Sequence, residues 1–220
     1  MEPKVSFVCP AYQRMAWIAE CIDSLQKQTI KDIEIIVIDD ASTDYTDRIV
    51  KYMASKDPRI IYVKNEVNLG AGLSRNKGNE IAQADIICVT DSDDIYPDTR
   101  AEETLKYFED NPKIDIVTSS YYRIDYSNGI VREFPAEKFD KRKFLNKEGS
   151  YFSHPSSAYR RKDILALPYK KESKEMTDDF MLVTDWCNAD KNFGYTNKVW
   201  NFHRVLPGSI MTKMRGGSLE

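Results

Sequence analysis

The sequence lacks the marks of a secreted, disulfide-linked or membrane-spanning protein. Its four cysteines form no C-x-x-C pair, and three of them lie in apolar runs, which indicates buried free thiols in a reducing compartment. No apolar run approaches the roughly 20 residues that span a bilayer, and the first residues show no signal-peptide pattern. We therefore expect a cytoplasmic protein whose contact with the inner face of a membrane, where it has one, is peripheral.

An excess of charge of one sign is also missing. The formal net charge is −3 over 220 residues, with 41% hydrophobic and 30% charged residues, as in an ordinary globular protein. Nothing in this balance indicates a nucleic-acid partner. No stretch rich in glycine, proline or serine divides the chain, so we predict a single domain over residues 1–215.

What the sequence does have is a regular alternation of strand and helix patterns in its first half. Apolar runs rich in β-branched residues begin near residues 5, 33, 59 and 85, and helical patterns separate them. This spacing is typical of βα units. It predicts an α/β fold with a mainly parallel sheet flanked by helices.

The second half has a different character. A short fifth strand is predicted over 114–117, and a separate hairpin is predicted around Ser127-Asn128-Gly129. Residues 135–150 are basic and weakly periodic. A late helix is predicted from Thr177 to about Lys191, and a strand follows it.

Polar side chains or glycines follow each of the first four predicted strands. The carboxyl ends of parallel strands meet at one edge of a sheet, and ligands bind outside that edge in open α/β sheets. Four such ends on one rim predict a ligand site more strongly than any one of them alone. They are Pro10-Ala11-Tyr12, Asp39-Asp40, the loop 68–72 with Arg75 beyond it, and Asp91-Ser92-Asp93-Asp94.

The acidic run predicts a metal site. On an extended segment Asp91 and Asp93 point to the same side, and two carboxylates so placed repel each other unless a cation or a donor lies between them. Hard oxygen ligands favour Mg²⁺ or Mn²⁺, with water and phosphate completing the shell. The alternative is a solvated turn that caps the helix predicted from Asp98.

The other strand ends suit a nucleotide. Asp40 can accept hydrogen bonds from a base or a ribose, Tyr12 can stack on a base, and Arg75 can pair with a diphosphate. The glycines at 70 and 72 permit close backbone approach. They form neither a Walker A loop nor G-x-G-x-x-G, which argues against a dinucleotide-binding oxidoreductase.

Together these residues resemble the motifs of glycosyltransferase family 2, whose members invert the anomeric centre and have the GT-A fold. Where family members have P-x-Y-N, this chain has Pro10-Ala11-Tyr12-Gln13, and D-D-x-S-x-D-x-T is matched by residues 39–46. N-x-G-x-x-x-x-R-N-x-G is matched from Asn68 to Gly78, and D-x-D-D with a following P-D from Asp91 to Asp98. The match extends to about residue 212.

The resemblance implies a role for each matched residue. It implies a nucleotide-sugar-binding half over 1–120 and an acceptor-facing half over 121–215. UDP is the usual nucleotide of the family, with dTDP and GDP left open. The implied contacts are Pro10, Tyr12 and Asp40 to the base, Arg75 to the diphosphate or uracil, Asp91 to the ribose and metal, and Asp93 to the metal, Mn²⁺ or Mg²⁺.

The resemblance also implies a catalytic base and an acceptor. The family's base is the Asp of an E-D pair that starts a late helix, and here Asp179 takes that position with Asp178 in place of the Glu. The implied reaction moves a sugar to a hydroxyl of a glycan or lipid-linked glycan, as in cell-envelope polysaccharide synthesis. The family often has Y-R-x-H near the end, but here Leu206 stands at the His position and His203 precedes the Arg. For the other histidine, His154, we expect a hydrogen-bonded structural role.

Three alternatives differ in their sequence requirements. A phosphoryl-accepting receiver domain would need an Asp after the third strand and a Lys after the fifth, and neither is present. A nucleotidyltransferase of related architecture would need a basic, glycine-rich loop after the first strand, where Pro10-Ala11-Tyr12-Gln13-Arg14 stands instead. A catalytically inactive protein that binds sugar nucleotides would lack some motif carboxylates, but all are present.

Overall fold

A computed structural model of the chain describes residues 2–126, 128–171 and 177–206. Within these ranges the chain forms eight strands and seven helices. In chain order they are β1 (Val5–Ala11), α1 (Ile18–Gln26), β2 (Ile33–Asp39), α2 (Thr46–Ala54), β3 (Ile60–Lys64), α3 (Ala71–Ile81), β4 (Ile86–Val89), α4 (Arg100–Asp110), β5 (Ile116–Asp125), β6 (Ile130–Phe134), α5 (Lys141–Leu145), β7 (Ser157–Arg160), α6 (Arg161–Ala166), α7 (Asp178–Asn188) and β8 (Phe193–Val205).

The first four strands form the parallel part of the sheet, in the order β3-β2-β1-β4. The register pairs Pro10 with Ile38 and Val8 with Val89, so the carboxyl ends of β1, β2 and β4 lie at one edge. Every residue of β1, β2 and β4 is buried, because helices cover both faces of the sheet. The predicted α/β fold with a mainly parallel sheet is confirmed.

The second half extends the same sheet with mixed pairing. β7 lies antiparallel between β4 and β5, and β8 runs parallel to β5 along its whole length. The prediction of a strand over 114–117, separate from a hairpin strand near residue 121, is wrong: β5 continues without a break from Ile116 to Asp125. Its first residues pair with β7 and its last residues with β6, so the polar run Thr118–Ser120 lies inside a strand.

Two hydrophobic cores lie on the two faces of the sheet. The alternation of β1 sends Val5, Phe7 and Cys9 into one core, with α1, α2 and α4, and sends Val8 into the other, with α6 and α7. All four cysteines are buried free thiols, as expected for the three in apolar runs. In the parts of the chain that the structure describes, no helix has the length and apolar character needed to cross a membrane.

Strands from both of the predicted halves belong to the same sheet. The assignment of residues 1–120 to the nucleotide-sugar and of residues 121–215 to the acceptor stays a prediction. Residues 207–215 of the predicted domain lie outside the described residues, as does Ser127 of the hairpin signal. Asn128 and Gly129 are described, and Gly129 has the positive φ of 71° that a tight turn requires.

Candidate functional site

The ends of β2 and β3 meet at a buried carboxylate. Asp40 accepts hydrogen bonds from the side-chain amide of Asn65 (2.8 Å) and from the backbone N–H groups of Leu69 (2.8 Å) and Gly70 (2.9 Å). Gly70 has a φ of 88°, so the glycine allows the loop to turn into α3. Asp40 therefore holds the glycine loop against the sheet, and three of its roughly four acceptor positions are used.

The segment after β1 forms the opposite wall of this edge. Pro10 is buried in the strand, whereas the ring of Tyr12 is 45% exposed. Gln13 has a φ of 54°, and its side chain donates to the Thr43 hydroxyl (2.8 Å) and accepts from the backbone N–H of Asp44 (3.0 Å). These bonds join the loops after β1 and β2 and leave the face of Tyr12 accessible.

The acidic turn, residues 91–94, follows β4 and is hydrogen-bonded to β8. Asp94 is fully buried and accepts hydrogen bonds from the side chain of Asn201 (2.8 Å), from Nδ1 of His203 (3.2 Å) and from the backbone N–H of Arg204 (2.9 Å). On the other side of the turn, the Tyr96 hydroxyl accepts from the N–H of Asp91 (2.7 Å). The turn is thus fixed by the distant strand β8 on one side and by the neighbouring Tyr96 on the other.

Asp93 is the least satisfied carboxylate of this turn. Its nearest cation is the guanidinium of Arg14, with Nε 3.4 Å from the carboxylate, and no other described residue forms an ion pair or hydrogen bond with it. Burial raises the pKa of Asp93 to about 6, and the charges of Asp94 and Asp91 add to the rise. Repulsion among these carboxylates would be relieved by a cation.

The acidic turn offers carboxylate ligands to a divalent metal. Among the described residues no group of three or more His, Cys, Asp or Glu side chains is arranged to hold a metal ion. Mg²⁺ and related ions, however, are usually bound by one or two carboxylates and take their other ligands from water and phosphate. Asp93, with Asp91 beside it, fits that pattern.

A buried arginine connects the acidic turn to the start of α7. The Arg75 guanidinium forms an ion pair with Asp91, and its Nη1 lies 3.6 Å from Oδ2 of Asp178. The Arg75 side chain is only 6% exposed and lies over the ring of Tyr169, 5.9 Å from its centroid. Burial alone would raise the pKa of Asp91, but the positive charge of Arg75 lowers it below its usual range.

The two aspartates that begin α7 face different surroundings. Asp178 accepts from the N–H of Asp179 (2.9 Å) and faces Arg75. Asp179 accepts from the N–H of Phe180 (2.8 Å) and from the Thr177 hydroxyl, and it lines a cavity. Carboxylates at a helix N-terminus are stabilised by the unpaired N–H groups and the helix dipole.

The cavity beside Asp179 has a volume of about 340 Å³, and its lining includes four aromatic residues, Phe144, Tyr151, Phe152 and Phe180. His154 also lines it, and its Nε2 is 2.6 Å from the hydroxyl of Tyr169. Burial lowers the pKa of His154 and the charge of Arg75 lowers it further, so this histidine is neutral near pH 7. The expected hydrogen-bonded role of His154 is confirmed, and the cavity adds a position next to Asp179.

His203 and Asp94 form an ion pair that should make stability depend on pH. Burial would lower the pKa of His203, but the carboxylate of Asp94, with Asp91 and Asp93 nearby, raises it to about 9. An unfolded histidine titrates near 6.5. The folded pKa is the higher one, so the pair's contribution is fully present below about pH 6.5 and is lost as the pH rises through about 9.

We therefore expect the difference in unfolding free energy between the wild type and His203→Gln to fall as the pH rises. The expected fall between about pH 6 and pH 10 is on the order of 2 kcal/mol. Urea denaturation in metal-free buffer measures it, because a bound metal would change the charge of the turn. A difference that stays constant over this range would contradict the ion pair.

The structure brings the residues predicted from the sequence to one edge of the sheet, with Asp178 and Asp179 reaching it from α7. Other contacts had no local signal: the ion pair of Arg14 with Asp93, the stacking of Tyr169 on Arg75, and the anchoring of Asp94 by β8. Arg14 directly follows the motif Pro10-Ala11-Tyr12-Gln13, and this location is a sequence signal for a cation near the site. Leu206, at the usual His position, is half-buried.

The chain is similar in sequence to known glycosyltransferases. The model of glycosyl transferase family 2 matches residues 6–166 of the chain. An uncharacterized glycosyltransferase of Methanocaldococcus jannaschii is 38% identical over 176 residues, which are 78% of this chain and 60% of that protein. Glycosyltransferase GlyG of Streptococcus pneumoniae is 29% identical over 165 residues, 72% of this chain and 54% of that protein. The chain therefore spans just over half of the length of these relatives.

Solved structures show the same fold. The S. aureus protein TarS in complex with UDP-GlcNAc superposes with a TM-score of 0.76 at 22% identity, over 95% of this chain and 60% of that one. The mannosyltransferase PcManGT of Pyrobaculum calidifontis, in complex with GDP-Man and Mn²⁺, gives 0.72 at 19% identity, over 98% and 60%. These likenesses confirm the GT-A fold.

Proposed function

Because the chain belongs to glycosyl transferase family 2, we propose that it moves a sugar from a nucleotide-sugar to an acceptor hydroxyl with inversion at the anomeric carbon. The donor is a UDP-sugar in this proposal, and the acceptor is a glycan or a lipid-linked glycan reached from the cytoplasmic side. Structural neighbours bound to UDP-GlcNAc and to GDP-Man support a nucleotide-sugar donor.

The nucleotide would bind at the carboxyl edge of the parallel strands. Tyr12 offers an accessible ring for a base to stack on, and Pro10 lies buried in β1 two residues before it. Asp40 has about one acceptor position left for a base N–H, because its other positions hold the glycine loop. Arg75 would balance the charge of the diphosphate, and Asp91 would accept from the ribose.

The observation that carries the proposal is the contact of Arg75 with both Asp91 and Asp178. It joins the edge where a nucleotide would bind to the first turn of α7, where Asp179 lies. A donor held at the acidic turn and an acceptor in the cavity would therefore meet beside that aspartate. Transfer requires this arrangement, because the two substrates must be held in line.

In this arrangement Asp179 acts as the general base. Its carboxylate accepts the proton of the acceptor hydroxyl while that oxygen attacks the anomeric carbon. The bond from this carbon to the diphosphate oxygen breaks on the opposite face, and Arg75 compensates the charge that develops. Asp178 stays paired with Arg75 and keeps the helix start next to the donor.

Asp93 and Asp91 would hold a divalent ion, Mn²⁺ or Mg²⁺, which would supply positive charge to the leaving diphosphate. A structural neighbour that contains Mn²⁺ supports divalent metal use. Arg14, at 3.4 Å, would remain as a second source of positive charge for Asp93.

Asp93→Ala tests the metal assignment. We expect the variant to bind UDP-GlcNAc equally weakly with and without Mn²⁺, whereas the wild type binds it at least tenfold more tightly when Mn²⁺ is present. Isothermal titration calorimetry measures both affinities. The control is Asp110→Ala, which removes an exposed carboxylate that is paired with Lys106 in the last turn of α4. An Mn²⁺ dependence that survives in Asp93→Ala would refute the assignment.

A panel of UDP-, dTDP- and GDP-sugars tests the function as a whole. Calorimetry with and without Mn²⁺ identifies the donor, and mass spectrometry then follows slow hydrolysis of that donor or transfer to glycan acceptors. Donor binding without hydrolysis or transfer would indicate an inactive protein that binds sugar nucleotides. Binding of none of the donors would refute the proposed function.

A further inference from the structure

Lys147 occupies a backbone conformation that lysine rarely adopts. Its φ is 60°, in the left-handed region, and it directly follows Asn146, the C-cap of α5. Glycine is the residue usually found at this position after a helix, because a side chain there is strained. The next glycine, Gly149, has a φ of 80°, so the segment contains glycine where it turns but lysine at the helix end.

Lys147 is an exposed residue at the rim of the cavity that also contains Asp179, and it is one of the residues that line this cavity. In the described ranges of the chain no carboxylate lies within ion-pair distance of its ammonium group. By contrast, the nearby Lys141 forms an ion pair with Asp190. Residues held in rarely populated backbone conformations cluster at functional sites, and here the side chain of that residue is a cation.

The rest of the cavity is suited to a sugar ring. Phe144 and Phe180 pack against each other with centroids 4.9 Å apart, and both line the cavity together with Phe152. The ring of Tyr151, which is 65% exposed, stands at the same wall. Flat aromatic surfaces pack against the apolar face of a sugar, while Lys147 and Asp179 are the charged groups among the described residues of the wall.

We propose that the acceptor carries an anionic group, a phosphate or a carboxylate, and that Lys147 binds it while the sugar ring lies on the aromatic wall. The inference rests on the proposed function and specifies the acceptor class. Lys147 thereby sets the preference for charged over neutral acceptors and directs the attacking hydroxyl to Asp179. An ammonium group is a suitable point charge for either anion.

Matched sugars test the proposal without knowledge of the natural acceptor. The ¹H–¹⁵N spectrum of the labelled protein, saturated with UDP and the diamagnetic ion Mg²⁺ to fill the donor site, is titrated with glucose 1-phosphate, glucuronic acid and methyl α-glucoside. We expect the amides around Lys147 to respond to at least one anionic sugar with an affinity at least tenfold higher than to the neutral one. The phosphate and carboxylate arms identify the anion.

Two variants distinguish the effect of the Lys147 charge on sugar binding from an effect on folding. Lys147→Gly removes the cation and relieves the left-handed strain, so we expect a higher midpoint of thermal unfolding together with loss of the preference for the anionic sugar. Lys147→Arg keeps the charge and should keep the preference. Equal affinity for anionic and neutral sugars, a preference that survives in Lys147→Gly, or no response to either anionic sugar would overturn the proposal.

The donor titration distinguishes a failure of the Lys147 assignment from a failure of the proposed function. If UDP-sugars bind with Mn²⁺ and donor hydrolysis is seen, but the anionic preference is missing, only the assignment of Lys147 fails. If neither donor binding nor hydrolysis is found, the proposed function fails. Lys147 is not among the residues assigned to the donor, so we expect Lys147→Gly to leave donor affinity within twofold of wild type.

Discussion

Asp179→Asn should reduce the rate of sugar transfer by a factor of about 10² to 10⁴ while the affinity for the donor stays within twofold. The amide has nearly the same size and can still accept from the Phe180 N–H and the Thr177 hydroxyl, so the start of α7 should keep its structure. It cannot take the proton of the acceptor hydroxyl. Initial rates with the donor and acceptor found by screening, together with donor calorimetry, measure the two effects.

The neighbouring Asp178→Asn is the matched control. It makes the same chemical change one residue earlier, but it removes the negative charge that faces Arg75 at 3.6 Å. We expect it to alter donor affinity and to reduce the transfer rate less than Asp179→Asn does. If Asp178→Asn gives the larger loss of rate with donor affinity retained, the base is Asp178. An equal loss of donor affinity in both variants would remove the distinction between them.

The edge of the sheet could be predicted because its signals are local. A strand followed by Asp39-Asp40 or by Asp91-Ser92-Asp93-Asp94 is visible in a short window, and the βα spacing implies that these ends lie side by side. The register of β1 with β2 and β4 confirms that arrangement. The roles assigned to these residues stay predictions until ligand binding is measured.

The remaining features depend on contacts between distant parts of the chain. No local pattern states that Arg75 reaches Asp178, or that the hydroxyl of Tyr169 meets His154. The continuous strand β5 was missed because its run Thr118–Ser120 is polar, and polar runs usually mark turns. In the folded chain Thr118 donates to the backbone oxygen of Ser153, at 2.9 Å, and so is satisfied inside the sheet.

The last prediction concerns Gly72, where α3 and α7 come into contact. A Cβ atom at this position would lie 2.7 Å from Oδ2 and 2.8 Å from Cβ of Asp178, closer than such atoms can approach. We expect Gly72→Ala to displace the start of α7 from the carboxyl edge of the parallel strands, where the donor would bind. The rate of transfer should fall at least tenfold, and the free energy of unfolding should fall by about 1–3 kcal/mol. Gly78→Ala in the same helix is the control, because its added Cβ would meet Cγ1 of Val8, at 2.5 Å, instead of Asp178.

A double-mutant cycle shows whether the contact is the cause. Asp178→Gly removes the three atoms that a Cβ at position 72 would meet, so Gly72→Ala should cost little stability in the Asp178→Gly background. Urea denaturation of the four proteins gives the coupling energy, and the rate of donor hydrolysis reports the position of Asp179. If Gly72→Ala lowers the free energy of unfolding equally in both backgrounds, its effect arises within α3, and Gly72 does not position α7.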